Sequence, residues 1–418
     1  MSKTILIAEM VLPVLSPPLN GCAVTVEDDS IIDIEPVQIL EKKYPDAKRI
    51  DLKNAIIMPG LINIHTHLEL SGLKGCFREG IDFIDWIKGL IEKKRVLKRA
   101  EYETGVANGI KELIGTGTTS VGEITSEDIS PYMLDSYGIR GKVFYEVIGL
   151  SYFISKYIWF KKRAEINRFR GNGLTEAGIS PHSCYSLTYG LLKRVGNYSI
   201  RHGLSLSSHI SETKDESEFI RSGGGKIKEL LNGLGFDTPL PFHSYSPTFY
   251  FNELGLLRKD FIAAHAVWVD EKDMDIMKES SISVAHCPRS NLFLNVGKSP
   301  VIKLLKTGIN VGLGTDSLAS NHSLNMWDEM RSAYKLHRDD GLSSHEIIKM
   351  ATVNGAKALG LDDKVGTIEV GKKADLIAVK MPENLSGDIY SDLIRETKNI
   401  LITMVSGKIL YQEEKGWN

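Results

Sequence analysis

MPGLINIHTHLELSG, residues 58–72, sets two histidines one residue apart at the end of an apolar run, with a glutamate two positions further on. Side chains alternate between the two faces of an extended strand, so His65 and His67 share one face while Ile64, Thr66 and Leu68 take the other. Two adjacent imidazoles begin a metal site. A bare H-x-H is equally a strand whose histidines hydrogen-bond to neighbours, so the rest of the chain must decide.

That run belongs to a series. After IIMPGLINIHTH (56–67) come TTSVGEI (118–124), GKVFYEVIG (141–149), EAGISPHS (176–183), LSLSSHIS (204–211), FIAAHAVWV (261–269), SISVAHCP (281–288) and NVGLGTD (310–316), eight strand-like runs in all. Amphipathic stretches such as FIDWIKGLIEKKRVLKR (83–99) and YETGVANGIKELIGTG (102–117) lie between most of them, with apolar residues at three and four spacing. Buried parallel strands alternating with covering helices define an α/β protein. The count of eight predicts a (β/α)8 TIM barrel over residues 58–359 rather than an open sheet.

The two ends have a different texture. GCAVTVEDDSIIDI (21–34), KVGTIEVGKKADLIAVK (364–380) and NILITMVSGKILYQ (399–412) read as short strands between turns. Residues 1–57 and 360–418 are therefore expected to pair into one small β-sandwich domain. A segment from 214 to 260, including RSGGGKIKELLNGLGFDTPLPFHSYSP, is rich in Gly and Pro and predicts an elaborated loop over the site, where barrels set substrate choice.

With 51 basic against 53 acidic residues the formal net charge is −2, which argues against a nucleic-acid or anionic-membrane surface and for a small-molecule substrate. Self-association into a homo-oligomer is left open. The apolar start carries Glu9, Pro13, Pro17 and Pro18 and is too short to span a bilayer, so a cytoplasmic protein is expected. Cys22, Cys76, Cys184 and Cys287 form no C-x-x-C pair, which disfavours a disulfide framework and a thiolate zinc site.

The polar signals fall at the ends of the predicted strands, the rim where barrel enzymes place their chemistry. His182 ends the fourth, His209 the fifth with Glu212 three residues beyond, and Asp316 the eighth; His265 and His286 lie in the sixth and seventh. Any one of these histidines alone is better read as a satisfied core residue. Five strands presenting imidazoles or a carboxylate at one rim point instead to a divalent metal, zinc first and iron as the alternative. His65, His67, His209 and Asp316 are the expected donors, with His265 in or just outside that shell. Metal-bound water loses a proton near neutral pH, and Glu212 is the expected proton shuttle, with His265 and Asp316 holding the nucleophile.

PGLINIHTH, HISE, AAHAV, HCPRSN and GLGTDS, in this order, resemble the amidohydrolase superfamily, and more narrowly its branch of S-adenosylhomocysteine deaminases, guanine deaminases and triazine chlorohydrolases. The likeness extends to GTIEVGKKADLIAV near the C-terminus. It implies one metal at His65, His67, His209 and Asp316, an acid/base glutamate at Glu212, a water-orienting histidine at His265 and a substrate contact at His182. No lysine stands at the end of strand four, where binuclear relatives carry a carboxylated one; Glu123 and Glu146 are then hydrogen-bonding residues rather than bridges to a second ion.

HTHLELSGLKG followed by FIDWIKGL is most similar to aminodeoxyfutalosine deaminases of menaquinone biosynthesis. In that resemblance Glu69 accepts hydrogen bonds from ribose hydroxyls; the alternative is that it caps the following loop. Trp86 is expected in core or lid packing, and Arg289 and Asn291 either meet a polar substrate tail or cap the surface. The chain is thus expected to be a metal-dependent deaminase of an adenine-type nucleoside such as aminodeoxyfutalosine or S-adenosylhomocysteine. A guanine or cytosine deaminase, or a chlorohydrolase, would share the metal and differ in the loops. A metal-free scaffold on the same barrel would be expected to lack the donors.

Overall fold

A computed structural model describes residues 3–169, 173–236, 240, 243–413 and 416–417. The stretch around the two histidines is the hinge of the architecture. Ala55–Pro59 runs antiparallel to Leu376–Lys380, the chain passes through Gly60, and Leu61–Thr66 then opens a different sheet. A Cβ on Gly60 would sit 2.1 Å from the Thr119 hydroxyl, so no other residue fits this crossing without displacing the Thr119 side chain.

That second sheet holds eight parallel strands in chain order: β1 (Leu61–Thr66), β2 (Thr118–Thr125), β3 (Arg140–Val147), β4 (Thr175–Pro181), β5 (Leu206–Ile210), β6 (Phe261–His265), β7 (Ser283–His286) and β8 (Asn310–Leu313). Five of the eight are buried at every position, as strands covered on both faces must be.

The barrel is drawn nearly closed where β8 returns to β1. Thr66 bridges Asp316, and the amides of Thr315 and Asp316 both donate to the carbonyl of His65, at 3.1 and 3.0 Å. The Asn63 side chain donates to Thr315 Oγ1 at 2.7 Å and accepts from the Thr315 amide at 3.2 Å. At Gly314 a Cβ would lie 2.9 Å from that of His65, so the closure also needs a glycine there.

Both chain ends contribute to the remaining sheets, as the strand texture predicted. Four strands from the first 51 residues form one sheet; the other is seven-stranded and places Leu376–Lys380 between Ile400–Val405 and Ala55–Pro59. Leu6, Val24, Val26 and Ile31 from the first meet Ile57, Leu376, Ala378 and Met404 from the second in one apolar cluster. Two short helices, Val37–Lys43 and Ile389–Glu396, interrupt what the sequence suggested was strand and turn alone.

The segment 214–260 departs from expectation. Instead of a loop it carries three helices, Lys214–Ser222, Gly225–Gly233 and Pro247–Glu253. The glycine run is punctuation: Gly223 takes the left-handed conformation (φ 70°) that ends the first helix, and the second begins two residues on. Phe219, Ile220, Ile227, Leu230 and Leu231 are buried and supply the apolar face. Residues 237–239, 241 and 242 of that expectation lie outside the described residues.

One buried ion pair fastens the barrel to the seven-stranded sheet. Arg140, at the start of β3, reaches Asp375 through Nε at 2.7 Å and Nη2 at 3.0 Å, and Nη2 also donates to Ser406 Oγ. Both side chains are almost wholly buried. Removing one partner strands the other charge, so Arg140→Met is expected to lower stability by about 3–5 kcal/mol in chemical unfolding. Arg140→Met with Asp375→Leu should recover much of that loss; a single variant as stable as the parent would contradict the clamp.

Candidate metal centre

Three strand ends and the close of the barrel bring four side chains together. One ligand atom each from His65, His209, His265 and Asp316 lies within 4.8 Å of the others, and all four residues are buried. His67 stands at the rim: its Nε2 is 3.6 Å from Asp316 Oδ1, against 3.8 Å for His65 Nε2. Alternation along the strand is thus realised, since both imidazoles reach the same carboxylate oxygen. His265, expected in or just outside the donor shell, belongs to the tight group; His67 is outside that four-atom set, yet its ring centroid is 5.0 Å from that of His65.

The backbone at these positions is bent in an unusual way. Ser211, His265, Ala266 and Asp316 all have positive φ, between 44° and 70°. Non-glycine residues in this region store strain of order 1–3 kcal/mol each, which surrounding structure must hold. Here the bends reorient the chain where β5, β6 and β8 end, and the Ala266 amide donates back to the carbonyls of Ile210 and Ala264.

Neighbouring groups fix which atom each donor presents. His209 Nδ1 lies 2.9 Å from the His182 carbonyl, so it carries the proton and leaves Nε2 free. His265 Nδ1 lies 2.8 Å from Asn291 Oδ1, with the same consequence. Asp316 Oδ2 accepts from Ser290 Oγ at 2.6 Å and Ser320 Oγ at 2.7 Å, which turns Oδ1 toward the histidines. Both ring nitrogens of His65 and Nε2 of His265 are buried with no hydrogen-bond partner among the described residues. Orphaned, inward-facing imidazole nitrogens beside a carboxylate are what a divalent ion needs, so the donor set fits one.

Electrostatics agree with that fit. Burial, reinforced by the other imidazoles, holds His65 well below the usual histidine range; burial brings His67 down to about 4 against the pull of Asp316. Neutral imidazoles with free lone pairs result. Burial would raise Asp316, but His265, His67, His209 and the Ser290 hydrogen bond outweigh it and keep the carboxylate ionised.

Glu212 adjoins the cluster. Its Oε1 is 3.7 Å from His265 Nε2, and burial, with Asp316 adding repulsion and His209 opposing, pushes it up to about 8. A carboxyl group poised near neutral pH can both take and give a proton. Its backbone is pinned by Glu216, whose Oε2 accepts the Glu212 amide at 2.8 Å.

Other expectations are redistributed. His182 sits beside the cluster, its ring centroid 4.6 Å from that of His209, and its Nδ1 is held by Ser183 and Ser186. Glu69 is a correction: Oε1 accepts from Thr125 Oγ1 and the Ile129 amide, Oε2 from the amides of Ser126 and Glu127. Four bonds fill the four lone-pair sites of a carboxylate, leaving none for ribose hydroxyls; the loop it holds is 125–129 after β2, not the loop following Glu69 that was the other expectation.

Glu123 accepts the Leu68 amide through both oxygens and Glu146 accepts from Ser126 Oγ; neither is in the four-donor cluster. His286 bonds His337 at 3.2 Å between ring nitrogens and is outside the cluster too. Trp86 packs on Phe83 and donates to the Ala319 carbonyl. Asn291 orients His265 rather than meeting a substrate tail, and Arg289 is taken up by Ser323, Asp328 and Glu329.

The reading of the sequence passed over Ser290, Ser320 and Glu216. Their signal was spacing: Ser320 and Glu216 each lie four residues beyond a residue already singled out, one helical turn or tight loop away. Ser320→Ala should weaken metal retention by roughly 10–100-fold in a chelator competition, because outer-shell partners orient the donor they touch; unchanged retention would contradict the assignment. Glu69→Gln should speed amide exchange at Ser126, Glu127 and Ile129 while leaving metal retention unchanged.

Residues 56–410 match the Amidohydrolase family. A 5-methylthioadenosine/S-adenosylhomocysteine deaminase of Desulfitobacterium hafniense is 31% identical over an alignment 433 residues long that covers 99% of this chain and 94% of the relative. A 5′-deoxyadenosine deaminase of Methanosarcina acetivorans is 30% identical over an alignment 416 residues long that covers 94% of this chain and 88% of the relative. Two solved structures share the fold: an adenosine deaminase from Xanthomonas campestris with bound zinc (TM-score 0.86, 24% identity, 99% and 94% covered), and Helicobacter pylori aminofutalosine deaminase in complex with methylthio-coformycin (TM-score 0.85, 23% identity, 97% and 99% covered). No described helix is long and apolar enough to cross a membrane.

Proposed function

The chain belongs to the Amidohydrolase family, and from that premise we propose that it is a metal-dependent hydrolytic deaminase of adenine nucleosides modified at the 5′ position, such as S-adenosylhomocysteine or aminodeoxyfutalosine. The observation that carries this reading is the meeting of three imidazoles and Asp316 beside a buried carboxyl of raised pKa. His65, His209 and Asp316 would hold one divalent ion together with His67, whose Nε2 is 3.6 Å from Asp316 Oδ1, and His265 of the tight group would stand against it. Zinc suits this nitrogen and oxygen set, and iron is the alternative. Bound there, the ion supplies a lowered water pKa and hence a nucleophile at neutral pH.

The chain's own groups do the rest. Glu212 takes the proton from the attacking water and delivers it to the ring nitrogen next to the amino-bearing carbon. His265 Nε2 and Asp316 Oδ1 orient the water, and His182 lies where the base enters. The hydroxyl adds at the carbon; its proton then passes to the amino group as the C–N bond breaks, ammonia leaves, and the carbonyl of an inosine-type product remains.

Glu212→Gln keeps the shape but loses the proton carrier. It is expected to retain metal while turnover falls roughly 10²–10⁴-fold, read by ammonia release. The parent enzyme should release ammonia from 5′-modified adenosines and leave guanine, cytosine and chlorotriazines untouched; the reverse preference overturns the substrate class. A purified protein that carries no divalent ion and turns over none of these would favour the scaffold.

A further inference from the structure

The helix that follows β3, Tyr152–Arg168, is apolar on both of its faces. Its inner face is buried at Ser155, Trp159, Lys162 and Ile166 and packs on the helix that follows β4, Tyr189–His202. Trp159 meets Tyr198 edge to face with ring centroids 5.1 Å apart, and the Tyr198 hydroxyl donates to Asn167 Oδ1 at 2.9 Å. The outer face carries Tyr152 and then Ile154, Tyr157 and Phe160 at three-residue spacing. Tyr157 is 68% and Phe160 71% exposed, so both rings stand clear of the protein. Of the fifteen large apolar side chains exposed among the described residues, four lie on this one helix. A helix with apolar residues all round is ordinarily covered on both sides, and a concentrated exposed patch marks a contact surface.

The charge on the same face is equally one-sided. The chain-wide net charge of −2 averages over an uneven distribution. Helix Tyr152–Arg168 holds five Lys and Arg against Glu165 alone, and Tyr189–His202 holds three against no acid. Glu165 takes up Lys161 and Lys162, at 3.7 and 2.8 Å, and Asp128 takes up Arg168. Lys156 and Lys193 rest instead on the rings of Tyr152 and Tyr189, and Arg163 on that of Tyr198. Lys156 and Arg194 border one crevice of about 30 Å³ between the N-terminal halves of the two helices, with no acid among its lining residues. Two cations facing one gap repel until an anion lies between them.

We propose that this face docks the protein on an anionic lipid surface. Ile154, Tyr157 and Phe160 enter the boundary between headgroups and acyl chains, while Lys156, Lys193 and Arg194 meet lipid phosphates beside them. Aromatic and aliphatic side chains flanked by Lys and Arg are the composition of a helix that lies in a membrane interface without crossing it. The long cationic stems cover apolar surface and carry their charges to the phosphates. The inference does not rest on the deaminase reading, since none of these residues belongs to the metal cluster.

Other occupants fit less well. Two-fold pairing with a second copy would set Lys156, Lys161 and Arg194 against their own counterparts. A nucleic acid would answer the cations but leave Ile154 in water, and its bases stack on aromatics that line a charged groove rather than on a projecting helix.

The test is co-sedimentation of the whole protein with phosphatidylcholine vesicles, with and without about 30% phosphatidylglycerol. Binding should be about tenfold or more stronger with the anionic lipid, and should fall when salt is raised from about 0.05 to about 0.5 M. Tyr157→Ser with Phe160→Ser, and separately Lys156→Gln with Arg194→Gln, should each weaken it by about tenfold. Melting temperature and ammonia release should stay at parent values, because all four side chains are exposed and outside the candidate site.

Equal binding to both kinds of vesicle overturns the proposal, and so does binding to neither. A parent that sediments as a dimer, dissociated by Tyr157→Ser with Phe160→Ser, overturns it in favour of a second copy. Tighter binding of a single-stranded oligonucleotide than of vesicles, lost in Lys156→Gln with Arg194→Gln but kept in the serine variant, overturns it in favour of nucleic acid. Should the serine variant unfold, the glutamine variant decides alone: unchanged vesicle binding there overturns the docking.

Discussion

The carboxylate of Asp316 is the point on which this molecule turns. It stands in a left-handed bend at the return of the eighth strand, and its backbone amide is bonded to the carbonyl of His65. One short segment therefore closes the barrel and supplies the anionic donor of the candidate site. Two serines hold one carboxylate oxygen so that the other faces His65 and His67. The fold and the site are the same set of bonds seen from two directions.

Around that anchor the protein keeps polar groups unsatisfied in its interior. Buried imidazole nitrogens with no partner would destabilise an ordinary core by about 1–3 kcal/mol each, and the positive-φ bends add strain. Such features persist where function selects for them and the surrounding structure over-determines them. Here the surrounding bonds are visible: Asn291 for His265, the His182 carbonyl for His209, Glu216 for the backbone of Glu212. Further from the cluster, Glu69 acts in a comparable way, gathering residues 125–129 into a fixed loop beside β2.

On the proposed reading, substrate selection falls to a different kind of structure. The loops and helices after β1, β5, β6 and β7 are joined to the barrel through a few backbone bonds and enclose cavities far larger than the metal cluster needs. This separation lets one catalytic rim serve many substrates by changing what surrounds it. The relatives named for different 5′ groups fit that division.

Much was legible in the sequence because two periodicities are strong. Eight apolar runs, with helical stretches between, determined the barrel, and the spacing of His65, His67, His209, Glu212, His265 and Asp316 determined the candidate site, because strand ends in this fold all open on one rim. What sequence could not convey was direction. Glu69 stands two residues from His67 and looked equally suited to a substrate or to a loop; only the positions of four donors from a segment more than fifty residues away decided it. The glycines at 223–225 read as a loop because composition does not reveal whether a glycine interrupts a helix or ends one. The tight grouping of His265 with His65, the roles of Ser290 and Ser320, and the crevice between Lys156 and Arg194 depend on contacts between residues remote in the chain. Such contacts exist only once the strands have closed into a barrel.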